Sequence, residues 1–329
     1  MERIMRMKLP GGLFAMTVLL SLIGHAQEKP AAPHPAEADA CYQKGVALMQ
    51  AGKLAEAEEA FQQAVELDPR NTRALMGQVE ILMARKKPQE ALDLLQDQVT
   101  KYPERVDFRL ALGNAAVRAG KYDLAIDAYQ EALPRLDGDS KAKGDLYLRM
   151  GETYRRKGDM QSAIASLRQA KQLLPDSSTV GGTLAVAEAA AGQTEEAERQ
   201  YRAVLQLDPE NALAMNNLAY LLAENGGDLD EALALAHRAR DLRQDLTEIH
   251  DTVGWIYLKK NMVGAAIGVF DAMVQMEPRN PTYHYHLGKA LLASGDRFAA
   301  TQQLNAALRL NPSEAEAEKI KELLQNSSQ

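Results

Sequence analysis

The sequence predicts an all-α protein built from about eight consecutive helix pairs. The 329-residue chain is 46% hydrophobic and 25% charged but only 5% aromatic, so it can form a core yet has few of the aromatic residues typical of strands. A pattern of alanine, a large apolar residue and proline recurs with a period of 34 residues, as from Ala57 to Ala91. Short helices of this kind bury their apolar faces only by stacking on neighbouring copies, so the period predicts a repeat array.

The N-terminal segment has the pattern of an export signal. Three basic residues precede a short apolar run from Leu13 to Ile23, which ends in small residues. A membrane-spanning helix needs about 20 apolar residues, and this run is about half that length. We therefore predict a signal peptide over residues 1–26, cleaved after Ala26, and an exported protein that is periplasmic or extracellular. Retention as an uncleaved anchor is the alternative.

Residues 27–37 are predicted to be a proline-rich tether. They carry three prolines, which oppose helix formation and favour extended conformations. Residues 1–26 hold three basic residues and one acidic residue, so their removal changes the net charge from −7 to −9. The exported chain is therefore acidic.

The repeat array is predicted over residues 38–312. In most units an alanine is followed four residues later by a large apolar residue on the same helix face, and a proline eight residues further on ends the helix. The third and sixth units lack this proline, and extra residues fall around 136–143 and at Gly226–Gly227, both in predicted turns. The eight alanines are Ala57, Ala91, Ala125, Ala163, Ala197, Ala232, Ala266 and Ala300.

A small residue in the first half of most units predicts that the two helices of a pair approach closely. It precedes the alanine by twelve positions, or by thirteen in the sixth unit. These residues are Gly45, Gly113, Gly151, Ala219, Gly254 and Gly288. After the last unit, Ser313 is the predicted N-cap of a helix from Glu314 to Leu324, which covers the open end of the array within a terminal segment, residues 313–329.

These repeats resemble the tetratricopeptide repeat family over residues 38–312. The resemblance implies a right-handed superhelical solenoid of helix-turn-helix units. It also implies that the first helices line a concave face, which holds peptides or partner helices. Strings such as the N-N-L-A-Y-L-L segment from Asn216 to Leu222 resemble exported bacterial envelope proteins with this repeat.

Composition and motifs argue against several function classes. The net charge of −7 lacks the positive field of a nucleic-acid binder. The single cysteine, Cys41, excludes an internal disulfide and a cysteine-cluster metal site. No phosphate-binding loop, H-E-x-x-H helix or G-x-S-x-G turn occurs. His250 and His284 share one repeat position, and we interpret them as packed side chains. We predict no catalytic residue, no metal, no small-molecule cofactor and no enzyme activity.

The resemblance implies a set of inward-pointing positions on the first helices, which we predict as the partner-binding site. Asn217 is added as a donor and acceptor for an extended backbone. Arg155 and Arg156 belong to the densest basic run of the exported chain and are candidates for holding an acidic partner segment, although a solvated helix end is the alternative. The predicted site residues are Asn216, Asn217, Tyr220, Trp255, Leu258, Tyr285, Lys289, Arg155 and Arg156.

Trp255, the only tryptophan, has two interpretations. It is either an aromatic hot spot on the concave wall or part of the core between neighbouring repeats. The sequence therefore predicts an exported scaffold or adaptor that binds protein segments in its concave groove, in envelope or secretion-related assembly. The alternative is an accessory subunit that regulates or localises an enzyme complex, for example in exopolysaccharide synthesis or proteolysis. A membrane-associated complex is a candidate partner.

Overall fold

A computed structural model describes residues 34–327, which form seventeen α-helices and one short 3-10 helix, with no strand in this part of the chain. This confirms the all-α class and the predicted succession of helix pairs. The pairs are α1 (Pro35–Gln50) with α2 (Leu54–Leu67), α3 (Thr72–Ala84) with α4 (Pro88–Lys101), α5 (Val106–Arg118) with α6 (Tyr122–Ala132), α7 (Ser140–Lys157) with α8 (Met160–Leu173), α9 (Ser178–Ala190) with α10 (Thr194–Leu207), α11 (Ala212–Glu224) with α12 (Leu229–Leu242), α13 (Thr247–Lys259) with α14 (Val263–Met276), and α15 (Pro281–Ser294) with α16 (Arg297–Arg309), followed by α17 (Glu314–Ser327).

The described chain divides into two compact units, which meet between Gln78 and Val79 in sequence. In the first unit, α1 packs on α2 through the ring of Phe61, which is fully buried beside Ala57 and Ala64. A Cβ added at Gly45 or at Gly77 would lie 2.6–2.7 Å from this ring. Two glycines thus give Phe61 the space that it occupies.

In the second unit, each pair from α5–α6 to α15–α16 packs internally, and each second helix packs on the first helix of the next pair. The first helices also contact one another in order, α7 with α9, α9 with α11, α11 with α13, and α13 with α15. Because the turns between helices are short, consecutive helices run antiparallel. A continuous row of first helices therefore forms one face of this unit.

The repeating alanines hold the second helices against their partners. All eight are completely buried. The positions four residues later carry Phe61, Leu95, Tyr129, Leu167, Tyr201, Ala236, Phe270 and Leu304, which are also buried. A methyl group at the first position and, in every unit but the sixth, a large side chain one turn later give the second helices a narrow apolar face, as the repeat predicted.

Most helix ends lie near the prolines and glycines that predicted them. In most units that have a terminal proline, as at Pro69 or Pro209, the proline follows the C-cap residue and lies two positions beyond the last residue of the second helix. The extra residues predicted around 136–143 fall only partly in a turn, because the 3-10 helix Leu133–Leu136 precedes a short turn and α7 already begins at Ser140. Asp139 is the N-cap of α7 and accepts a hydrogen bond from the N–H of Ala142 at 2.8 Å. Gly226 has a φ of +74° in the turn before α12, a conformation that glycine adopts without a steric penalty.

The boundary predicted for the tether is wrong at its C-terminal end, because α1 begins at Pro35. Proline is tolerated in the first turn of a helix, where its missing N–H breaks no hydrogen bond, and Glu37 complements the helix dipole there. The predicted signal peptide, residues 1–26, and residues 27–33 of the tether lie outside the described residues. Within residues 34–327, no helix is both long and apolar enough to cross a membrane.

The C-terminal helix α17 covers the last pair as predicted and runs three residues beyond Leu324, to Ser327. Its N-cap is Ser313, whose hydroxyl accepts a hydrogen bond from the N–H of Glu316 at 3.3 Å. Ile320 is fully buried against Tyr285 and Leu304 of the α15–α16 pair, while Lys319 lies exposed. The helix therefore shields the end of the core with an apolar face and presents charge to solvent.

Close approach of paired helices yields a stability prediction. A Cβ at Gly113 would overlap the buried Tyr129 ring, whereas a Cβ at Gly182, also inside a first helix, meets no atom within 4 Å. We expect Gly113→Ala to lower the unfolding free energy by about 1–2 kcal/mol through overpacking. Gly182→Ala should raise it by about 0.5–1 kcal/mol through helix propensity. Thermal unfolding followed by circular dichroism measures both, and equal melting temperatures for the two variants would contradict the packing argument.

Candidate functional site

The candidate site lies on the row formed by α7, α9, α11, α13 and α15 in the second unit. On each of these helices the side toward its partner is occupied by small residues, such as Gly151 and Gly254, that meet buried side chains. The other side carries polar, charged and aromatic residues, and neighbouring first helices contact each other. This arrangement leaves the functional groups on one shared surface.

A cavity of about 330 Å³ opens on this surface between α7, α9 and α11. Its floor includes Tyr201 and Val204 of α10, and Gly182 contributes a wall with no side chain. Leu213, 56% exposed, lies at its edge. The lining residues are Glu152, Arg155, Ser178, Thr179, Gly182, Thr183, Val186, Tyr201, Val204, Asn211, Leu213, Ala214 and Asn217.

A second cavity, of about 540 Å³, continues the first along α9 and α11. The two share Val186, Tyr201 and Asn217, and the second adds Tyr220 and Glu224 of α11. We call the combined space the α9–α11 groove. The groove is bounded by α9, α10 and α11, which pack on one another.

Tyr201 and Asn217 join the two parts of the groove through a hydrogen bond between their side chains. Burial raises the pKa of Tyr201 to about 12, so its hydroxyl stays protonated at neutral pH. The predicted role of Asn217 as a donor and acceptor is compatible with its place in the groove wall. Asn216 is only 8% exposed, and its Nδ2 lies 3.5 Å from Oδ1 of Asn217, while its own Oδ1 has no hydrogen-bond partner in the described part of the chain.

The two predicted arginines lie differently at the α7 end of the groove. Arg155 is partly buried and lines the first cavity, and its Nε is buried without a hydrogen-bond partner among the described residues. Arg156 is exposed at the end of α7, and the neighbouring Lys157 forms an ion pair with Asp123 at 2.5 Å. Only Arg155 of this basic run therefore faces the groove.

Beyond the other end of the groove, Glu224, Trp255, Lys259 and Lys289 form what we call the Trp255 cluster. The indole Nε1 of Trp255 donates a hydrogen bond to Oε1 of Glu224 at 2.6 Å, and Nζ of Lys259 lies 2.9 Å from the same oxygen. Nζ of Lys289 lies 4.2 Å from the centre of a Trp255 ring, within the range of a cation–π contact. The cluster connects α11, α13 and α15.

Trp255 takes the core position between neighbouring repeats. It is 8% exposed and belongs to a cluster with Phe270, Met273 and Leu287, against which Leu258 also packs. Burial of this kind leaves the indole N–H and one ring surface for polar contacts with the cluster. Core packing and contact with charged groups thus occur in the same side chain.

Tyr220 and Tyr285 differ in accessibility. Tyr220 is 48% exposed and lines the groove, whereas Tyr285 is buried against Leu304 and Ile320. Tyr285 keeps one contact with the cluster, because Nζ of Lys289 lies 5.8 Å from the centre of its ring. Tyr220 is the more accessible of the two for a partner.

His286 is a residue that the sequence analysis did not include in the site. Its Nδ1 lies 2.6 Å from Oδ1 of Asp251, and its ring centre lies 5.2 Å from that of Trp255. Asp251 and His286 are 35 residues apart, close to the repeat period, so a search for complementary pairs at that spacing could have found them. The pair ties α13 to α15 beside the cluster.

The remaining histidines of the repeats have separate partners, and that of His237 is the hydroxyl of Tyr257, 3.1 Å from its Nε2. His250 contacts the carbonyl oxygen of Gln244 at 3.2 Å, and His284 contacts Gln303 at 2.7 Å and the carbonyl oxygen of Pro278 at 3.1 Å. Over residues 34–327, no group of three histidine, cysteine, aspartate or glutamate side chains is placed to hold a metal ion.

Charge in the Trp255 cluster shifts two pKa values. Burial tends to raise the pKa of Glu224, but the hydrogen bonds from Lys259 and Trp255 outweigh it, and the net shift is downward. Burial lowers the pKa of Lys289, and the positive charges of Lys259 and Lys319 lower it further, against the opposing effect of Glu224. Glu224 is therefore held ionised, and Lys289 is repelled by two neighbouring lysines.

The lowered pKa of Glu224 predicts an acid-induced local change. A carboxylate with a lower pKa in the folded state stabilises the fold above its unfolded pKa, and that contribution is lost as the pH falls through the folded pKa. We expect the Trp255 emission to change with a midpoint below about pH 4.3, the ordinary value for glutamate. The change should be absent in Glu224→Gln, with circular dichroism recorded in parallel to separate it from unfolding. The same midpoint in both proteins would contradict this assignment.

The sequence is similar to tetratricopeptide repeat proteins along most of its length. The family model described as tetratricopeptide repeat matches residues 38–71, and that described as cilia and flagella-associated protein 70 C-terminal domain matches residues 72–323. The BBSome complex member BBS4 homolog of Drosophila melanogaster is 26% identical over 287 residues, 83% of this chain and 58% of that protein. Cellulose synthase 1 operon protein C of Komagataeibacter xylinus is 24% identical over 282 residues, 83% of this chain and 19% of that protein.

The two relatives named above are both longer than the region that they share with this chain. The fold is similar to that of a solved tetratricopeptide repeat structure. In the crystal structure of the APC/C hetero-tetramer Cut9-Hcn1, the matching chain has a TM-score of 0.59 and 17% identity, covering 88% of this chain and 56% of that one. These comparisons confirm the predicted resemblance. The chain belongs to the tetratricopeptide repeat family, and over residues 72–323 to the family of the cilia and flagella-associated protein 70 C-terminal domain.

Proposed function

We propose that this chain is an exported scaffold or adaptor that binds an extended segment of a partner protein along the row of first helices from α7 to α15. Tetratricopeptide repeat proteins mediate protein–protein interaction, which supports the general role. The observation that carries the proposal is the α9–α11 groove, two adjoining cavities of about 330 and 540 Å³ on one helix row. Clefts of this size, with apolar walls and a few polar groups, suit a bound chain.

The dimensions of the row favour a segment of about ten residues. Packed helices lie 8–10 Å apart, so the four steps from α7 to α15 span about 30–40 Å. An extended chain advances about 3.3 Å per residue, so about ten residues reach from Arg155 to the Trp255 cluster. A segment of this length would contact both ends of the row at once.

The groove offers groups that pair with a polypeptide backbone. Asn217 supplies an amide and Tyr201 a protonated hydroxyl. Thr183 adds a hydroxyl oxygen as an acceptor, because its O–H donates to the carbonyl oxygen of Thr179 at 2.9 Å. Gly182 leaves space for close approach of a second main chain. Val186 and Leu213 add apolar contacts, so backbone hydrogen bonds and side-chain burial both contribute.

A second candidate is an accessory subunit that localises or regulates an enzyme complex. The similarity to Cellulose synthase 1 operon protein C favours exopolysaccharide synthesis as the setting of such a complex. Both candidates place the chemistry in another protein. Hydrolase or transferase activity of the purified chain alone would contradict both, and co-purification of the chain with a glycan-synthesising enzyme would favour the second.

Blocking the groove provides the test of segment binding. Gly182→Phe should fill the first cavity without disturbing the fold, because a side chain there starts in open space. Peptides that bind the full chain are first selected from a displayed library of random twelve-residue sequences. We expect their affinity for Gly182→Phe to be lower than for the unmodified chain by at least about tenfold. Fluorescence anisotropy with labelled peptides measures the affinities.

Gly268→Phe is the matched control. Gly268 also lies inside a helix with no atom within 4 Å of an added Cβ, but it is exposed on α14, away from the row of first helices. This variant should bind the selected peptides as the unmodified chain does. Equal binding by Gly182→Phe and Gly268→Phe would exclude the groove as the binding site.

Export is tested by cell fractionation. The full chain and a variant lacking residues 1–26 are produced in a bacterium with a two-membrane envelope. We expect the full chain to lose residues 1–26 and to accumulate outside the cytoplasm, with Gln27 as its first residue, and the shortened variant to stay inside. Recovery of the intact full chain from the cytoplasm would contradict the signal peptide.

A further inference from the structure

Lys289 differs from the other partly buried lysines of the described residues. Lys143 pairs with Asp137, Lys171 donates a hydrogen bond to the carbonyl oxygen of Pro175, and Lys260 pairs with Asp230. Lys289 is equally withdrawn from solvent, yet no oxygen within residues 34–327 accepts a hydrogen bond from its ammonium group. An ammonium group has three N–H donors, and a cation–π contact satisfies none of them fully.

Aromatic rings hold the Lys289 ammonium in place. It lies 4.2 Å from the centre of a Trp255 ring and 5.8 Å from that of Tyr285. Both rings are buried and fixed by the core, so the position of the charge is determined by packing on α13 and α15. A charge held in this way loses little side-chain entropy when it binds an anion.

The nearby carboxylate does not neutralise this charge. Glu224 already accepts the hydrogen bond of the Trp255 indole and pairs with Lys259. Around Lys289 stand Lys259 on α13 and Lys319 on α17, both of which repel its positive charge, and Glu224 on α11, which attracts it. Glu316 and Glu322 of α17 lie near Tyr285, and neither pairs with Lys289. The Lys289 ammonium group therefore has no ion-pair partner within residues 34–327, although the chain as a whole carries −7.

We propose that Lys289, held on the Trp255 ring, is a docking point for a carboxylate of the bound partner segment. The ligand class is an acidic peptide, whose carboxylate accepts hydrogen bonds from the Lys289 ammonium and is attracted by Lys259 and Lys319. This inference rests on the proposed function and specifies the partner. The carboxylate belongs either to an aspartate or glutamate side chain or to a chain terminus.

The probe is a hexaglutamate peptide that carries fluorescein at its N-terminus and an amide at its C-terminus. We expect saturable binding to the full chain by anisotropy, together with a change in the emission of Trp255, the only tryptophan. Amidated hexaglutamine should not bind. Hexaglutamine with a free C-terminal carboxylate separates the two sources, because its binding would assign the site to a chain terminus.

Substitution of the lysine locates the site. Lys289→Gln should weaken hexaglutamate binding by at least about tenfold, as expected for a charge-assisted hydrogen bond, and Lys289→Arg should restore it to within about threefold. Lys321→Gln, an exposed lysine of α17, is the control and should bind as the unmodified chain does. Equal binding of hexaglutamate by Lys289→Gln and the unmodified chain, or no saturable binding at all, would overturn the proposal.

This outcome is distinguishable from failure of the proposed function. If Gly182→Phe abolishes binding of selected peptides but Lys289→Gln leaves their affinity unchanged, the result supports the groove as the binding site and contradicts the carboxylate site. If Lys289→Gln abolishes hexaglutamate binding while Gly182→Phe leaves selected peptides bound, the carboxylate site stands as a separate anion site.

Discussion

The close approach of the two helices in each pair is the constraint on which the rest of this structure depends. In most pairs, a buried alanine on the second helix and a glycine or alanine on the first leave space for one large side chain, such as Tyr129 or Phe270. Protein interiors are packed so densely that a single added methyl group can lower the stability of the fold. The pairing side of each first helix is therefore committed to packing, which leaves the opposite side for functional groups.

Stacking then places those free sides next to one another. Because α7, α9, α11, α13 and α15 contact in order, a short polar stretch on each becomes part of one extended surface. No single pair has enough surface to hold a chain of ten residues, but five do. The proposed function is thus a property of the array, in the same way that stability is shared between neighbouring repeats.

Much of the fold could be predicted because it repeats. Eight copies of the alanine position allowed the second helices to be predicted, and all eight alanines are buried in the structure. Two positions were less clear, since Val79 and Ala185 occupy the small-residue position in the second and fifth units without a glycine to mark it. The tether boundary was missed because proline opposes a helix interior but not a helix start, so Pro35 has two opposite meanings.

The site was less predictable because its key contacts join side chains about one repeat apart, whose orientation no local pattern specifies. The sequence placed Trp255 and Lys289 on the same face but left core and surface as alternatives for the tryptophan. The structure combines them: packing fixes the indole, so its N–H orients Glu224 and its ring positions Lys289. Removing the Trp255 side chain would therefore disturb both packing and charge placement. For this reason Lys289→Gln, which removes the charge and leaves the core intact, is a sharper test of binding than any change at Trp255.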